Sequence, residues 1–160
     1  MVRKKPASRT FFRPFGAECI KLYHEGVQWR DSSGSLQNSR VIFPALIGDA
    51  PARALAAHFS QFNGSYGCGK CLHPGERIAQ GAGTAQVYPL RYPLPSCRSH
   101  EQTLKFAIEA DSANSGPVFG VKGLSWLYQI PMFDIVCGIV PEIMHCVFLG
   151  VCRQFQTMYQ

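Results

Sequence analysis

The sequence predicts an α/β fold, and three observations carry that expectation: helical periodicity near both ends, a short β-branched apolar run before the middle, and an acid where that run gives way to a helix. FFRPFGAECIKLYHEG at 11–26 sets Phe15, Cys19, Leu22 and Tyr23 on one helical face, with Pro14 suited to a first turn and Gly26 to a C-terminal cap. Residues 27–29 continue as a short strand, and DSSGSLQNS at 31–39 is a polar turn. RVIFPALIG at 40–48 has the composition of a strand buried on both faces, although Pro44 moves it toward an edge or a bulge. Asp49 follows at its carboxyl end. Pro51 then suits the first turn of a helix continued by Ala52, Ala54, Leu55, Ala56, Ala57 and Phe59.

QFNGSYG at 61–67 breaks that helix, and Cys68, Gly69, Lys70 and Cys71 form a tight knuckle. Residues 74–99 are rich in Pro and Gly and read as an insertion over the core, with one strand at 85–90. HEQTLKFAIEAD at 100–111 is a second amphipathic helix with Leu104, Ala107 and Ile108 inward, and 114–123 is loop. Apolar residues surround Asp134 over 131–140. A last helix from about Pro141 presents Met144, Val147, Phe148, Val151, Phe155 and Met158 at three- and four-residue steps. It reaches Gln160 with no cap or stop signal, as expected of a fragment.

At 160 residues and 46% apolar, the chain suits one compact domain or a piece of a larger one. A formal charge of +6 points to an acidic partner, nucleic acid being the commonest for a basic intracellular chain. Much of the excess, however, lies in Arg3, Lys4, Lys5, Arg9 and Arg13, and such a basic tail is more often merely solvated than specific. No stretch of about 18 apolar residues exists, and the basic N-terminus leads into no apolar core, so a soluble intracellular protein is expected. The seven cysteines are odd in number and scattered, which fits reduced thiols; only Cys68 and Cys71 stand at a chemically meaningful spacing.

That pair could bind one metal ion through two thiolates, and zinc takes four soft or borderline ligands in a tetrahedron. His145, His73, His100, Cys146 and Cys152 are candidates for the other half of the site. Two alternatives stay open. The thiols are merely structural, or they form a thioredoxin-like redox pair, which would normally open a helix rather than follow a Gly-rich break and precede Pro74. Asp49 stands where α/β sheets gather functional groups, yet the same position suits a helix N-cap. A two-metal phosphoryl-transfer site would need further carboxylates beside it to hold magnesium or manganese, and Asp134 and Glu142 are the candidates. His145 follows Glu142 by one turn, so the carboxylate could hold one imidazole nitrogen while the other binds metal; a histidine satisfied at the core boundary is the alternative.

GDAPARA at 48–54, FNGSYGCGKCLHPGE at 62–76, RSHEQTLKFA at 98–107, GVKGLSWL at 120–127 and FDIVCGIVPEIMHCVFLGVCRQF at 133–155 resemble successive blocks of CACTA (En/Spm-type) transposases. The similarity runs from about Phe12 to Phe155. It implies a partial RNase H-like fold with a zinc-binding Cys-x-x-Cys insertion: a basic tail over 1–10, then a partial catalytic domain over 11–160 with its insertion at about 62–100. In the family, three acids bind Mg2+ or Mn2+ and cut DNA by hydrolysis and transesterification. Asp49 matches the second acid of the DDE/D triad, Cys68 and Cys71 match the zinc-binding pair, and His145, in Met-His-x-x-x-Leu-Gly, matches a histidine assigned to the same zinc. The resemblance also implies DNA as partner, nuclear location, no membrane, and homo-oligomerisation as a further expectation.

Two departures follow. The first aspartate should lie on an early strand, where Asp31 in its polar turn is a poor fit, and the third acid is expected beyond Gln160. With one of three acids apparent, the isolated chain is expected not to cleave DNA, and whether it counts as an enzyme stays open. The rival expectation is a zinc-stabilised DNA- or protein-binding module in which Asp49 is only a cap.

Overall fold

A computed structural model describes residues 8–113 and 116–159. The architecture is mixed α/β. Helix α1 (Ser8–Glu25) leads into a hairpin of β1 (Val27–Arg30) and β2 (Leu36–Ser39), and then β3 (Leu46–Gly48) runs directly into α2 (Ala50–Ala57). A second hairpin, β4 (Glu76–Gln80) and β5 (Gly83–Val87), precedes α3 (His100–Ala113). A 3-10 turn (Trp126–Gln129) and β6 (Ile139–Pro141) follow, and a π-helical stretch (Met144–Cys152) continues as α4 (Arg153–Met158). The two hairpins are antiparallel, whereas β3 and β6 pair in parallel with Leu46 opposite Ile139 and Gly48 opposite Pro141.

Most of the basic tail expected over 1–10 lies outside the described residues. Because α1 begins at Ser8, Pro14 falls inside the helix rather than in its first turn. Cys19 is buried at 1% exposure as expected, but Phe15 is half exposed, and Phe12 stacks on Trp126 with ring centroids 5.2 Å apart. Gly26 closes the helix with φ of 76° while its N–H donates to Leu22 O, a left-handed position that glycine occupies without a Cβ penalty. The polar turn after β1 is ordered by Asp31, whose Oδ1 accepts the Ser33 and Ser35 amides at 2.9 and 3.0 Å and whose Oδ2 accepts Gln37 Nε2 at 2.8 Å. This turn closes a hairpin that the sequence reading did not include. Asp31 is thereby occupied as a loop organiser.

The expected strand over 40–48 shrinks to β3. Its run is not buried on both faces, since Ile47 is 68% exposed. Pro44 has no N–H to donate to a ladder, and among the described residues β6 is the one strand paired with β3. α2 packs against both strands.

The core joins Cys19, Ala56, Ala57, Phe59, Ala107, Val121, Leu127, Ile130, Phe133, Ile135, Val136 and Ile139. Fully burying a side chain such as Leu127 or Ile135 contributes about 1.5–3 kcal/mol. α3 buries Ala107 as expected, but its other buried residues are Thr103 and Ala110, while Leu104 is half-buried and Ile108 is half exposed. Small residues let the helix lie close to the core, and Thr103 Oγ1 is satisfied by donating to Ser99 O at 2.6 Å. The last helix departs further. Its apolar residues Met144, Val147, Phe148, Val151, Phe155 and Met158 are all exposed. No helix among the described residues is long and apolar enough to cross a membrane.

Candidate functional site

Asp49 sits at the turn between β3 and α2 with extended backbone, φ −65° and ψ 169°. Its Oδ1 accepts the Ala52 amide at 2.7 Å, which satisfies one of the N–H groups that a helix start leaves without a partner. Pro51 in the same turn has no amide to satisfy. The capping role read as the alternative for Asp49 is therefore present in the structure. The parallel register places a second acid beside it: Glu142 follows β6 as Asp49 follows β3, and the Glu142 N–H donates to Gly48 O at 3.1 Å.

Glu142 is also committed to a helix start. Its carboxylate accepts the amides of Met144 and His145 at 2.5 and 2.9 Å and meets His145 Nδ1. The His145 hydrogen bonds, side chain first and then backbone, hold this carboxyl below its ordinary range. The Glu142–His145 contact expected from one helical turn is thus formed. Asp134 turns elsewhere, its Oδ1 accepting the Val136 and Cys137 amides at 2.7 and 2.6 Å.

The cysteine knuckle is built by backbone amides aimed at sulfur. Lys70 N–H lies 3.4 Å from Cys68 Sγ, the Cys71 amide also reaches Cys68, and the His73 amide reaches Cys71. Burial resists charge on Cys68, but these amides, the Cys71 thiol and the Arg98 guanidinium outweigh it and lower its pKa. Cys71 moves the other way, raised by burial and by donating to Cys68. Two sulfurs in contact, with N–H dipoles pointed at them, suit a pair of thiolates on one cation.

Two basic side chains fix the knuckle in place. Lys70 Nζ donates to Val136 O and Ile139 O at 2.5 and 2.9 Å, which ties the turn between the cysteines to the segment entering β6. Arg98, only 5% exposed, donates to Cys68 O at 2.9 Å, Tyr66 O at 3.0 Å and Phe119 O at 2.7 Å, and stacks over Phe59. Gly120, with φ of 80°, admits this clamp, because a Cβ there would lie 2.3 Å from Tyr66 O.

The remaining candidate ligands are occupied or remote. His73 Nδ1 accepts the Gly75 amide at 2.8 Å and Nε2 donates to Pro89 O at 3.0 Å. His100 Nδ1 accepts the Ile135 amide at 3.1 Å. Cys146 and Cys152 are exposed on the last helix. Among the described residues no group of three or more His, Cys, Asp or Glu side chains converges on a metal position, so Cys68, Cys71 and His145 are not brought together. Two functional residues carry no role in the sequence-based expectation: Arg98, which opens the block at 98–107 without a part in its chemistry, and Cys97, whose backbone pairs with that of Cys71. No protein-family model matches the chain, and no curated protein or solved structure is significantly similar to it.

Proposed function

We propose that the chain is a piece of a CACTA-type DNA transposase catalytic domain, with a zinc-binding knuckle at Cys68 and Cys71 and DNA as its partner in the nucleus. The observation that carries the proposal is the docking of that knuckle, through Lys70, onto the strand that runs parallel to the Asp49 strand. Two blocks of the family's order thereby meet in one unit, an acid at a strand end and a Cys pair beside it. The Cys pair fits zinc by donor type and by its N–H···S bonds, and a bound zinc would cross-link the knuckle. The RNase H-like fold and self-association belong to the same proposal.

The acids fit a catalytic Mg2+ or Mn2+ poorly. Asp49 and Glu142 share a strand-end edge, each accepts helix-start amides, and among the described residues no third ligand group joins them. No cleavage step is therefore derived for this chain. Zinc at about one per chain is expected in protein purified without chelator, lost in Cys68→Ser. His145→Ala decides whether the last helix contributes a ligand. DNA affinity should fall steeply with salt as Lys and Arg exchange counterions. Supercoiled DNA with manganese should remain intact with the parent and with Asp49→Asn. Nicking by the parent alone would show a working catalytic acid.

A second reading, a zinc-stabilised DNA- or protein-binding module, is favoured by the cap at Asp49, which gives that acid a complete structural role. Absence of nicking together with salt-sensitive DNA binding fits both readings. Nicking fits the first alone.

A further inference from the structure

Cys71 and Cys97 face one another as an antiparallel bridge. Leu72 N–H donates to Ser96 O and Arg98 N–H donates to Lys70 O, both at 2.9 Å, so the hydrogen bonds flank the pair rather than join it. In this non-hydrogen-bonded register both side chains leave the same face, with Cα atoms about 4.5 Å apart. That separation lies within the about 4.4–6.8 Å that a disulfide spans. Cys97 is exposed and Cys71 half-buried, so one partner is open to a soluble oxidant and the other waits beside it.

We infer that Cys97 is a redox modification site whose disulfide with Cys71 withdraws Cys71 from the knuckle's metal. The consequence for metal rests on the zinc proposal above; the bridge itself does not. With oxidised glutathione as oxidant, the Cys97 thiolate attacks one glutathione sulfur, forming a mixed disulfide and releasing one glutathione thiolate. The Cys71 thiolate then attacks the Cys97 sulfur, forms the protein disulfide and expels the second glutathione. Two protein thiols lose their protons and two electrons, and one glutathione disulfide becomes two glutathione thiols. The bridge would staple both ends of the segment carrying β4 and β5, while Cys68 alone is too few ligands to retain zinc.

The test treats the reduced, zinc-loaded chain with oxidised glutathione, follows zinc release with a chromophoric chelator, and maps disulfides by peptide mass after alkylation. The expected result is a Cys71–Cys97 link with loss of zinc, and on reduction the return of both thiols and of zinc binding. Cys97→Ser should release zinc at least about tenfold more slowly under the same oxidant, because the exposed thiol that first takes up glutathione is gone. A link between Cys68 and Cys71, a glutathione adduct on Cys97 with no protein disulfide, or unchanged release from Cys97→Ser would overturn the inference. If the reduced parent takes up no zinc, the metal proposal fails, and the mapped link still decides the bridge.

Discussion

The cysteine knuckle and the final helix make opposite use of their composition. The knuckle is assembled from Gly, Cys, Lys and a distant Arg, yet it is fixed at several points through Lys70, Arg98 and the amides around sulfur. The final helix is among the most apolar stretches of the chain and shows its large side chains to solvent, Phe148 at 59% exposure. Hydrophobic content stabilises only where a surface receives it. Directed polar contacts hold a Gly-rich turn when their partners are buried carbonyls.

The strongest way to break this contrast is Arg98→Met. Removing the buried guanidinium leaves the carbonyls of Tyr66, Cys68 and Phe119 without donors and should cost about 4 kcal/mol in urea unfolding. Arg98→Lys should recover little, since one ammonium cannot reproduce the planar fork. Leu127→Ala, a cavity beneath the 3-10 turn, should cost about 3 kcal/mol by the same measurement. Asp49→Ala should cost about 1 kcal/mol, while Asp49→Asn, which can still accept the Ala52 amide, should lose only a few tenths. Phe148→Ser should shift stability by less than about 0.5 kcal/mol, because the side chain leaves no core behind. A loss comparable to Leu127→Ala would show that the final helix is buried in solution.

The smallest effect is a titration. Ser33 and Gln37 hydrogen bonds hold the Asp31 carboxyl down at about 2, against an ordinary value of 3.8. The depressed value means that these bonds stabilise the hairpin turn above the ordinary carboxylate range and lose that contribution as pH falls through about 2. Carboxyl NMR should place the midpoint well below that of an exposed aspartate.

Local signals were legible in the sequence. Gly26 ends α1, Asp49 followed by Pro51 opens α2, and 61–67 interrupts the chain before the cysteines, because each depends on residues close in sequence. The Glu142–His145 contact was legible for the same reason. The inward face of α3 was legible only at Ala107, since its pattern of large residues concealed the close approach that Thr103 and Ala110 make beside it. β4 pairs with β5 although its own residues, ERIAQ, carry little strand character. Arg98 and Cys97 acquire their roles from neighbours brought together by the fold, and no spacing rule reports such neighbours.

The parallel pairing of β3 with β6 bears on how the chain folds. Leu46 cannot meet Ile139 until the knuckle, β4, β5 and α3 have been gathered to one side. Such non-local closure carries its entropic cost before any strand contact offsets it, which slows the search. The hairpins, by contrast, close within their own short turns. During synthesis on the ribosome, α1 and the first hairpin would therefore form early, while β3, which leads into Asp49, would wait, exposed, for residues made nearly a hundred positions later.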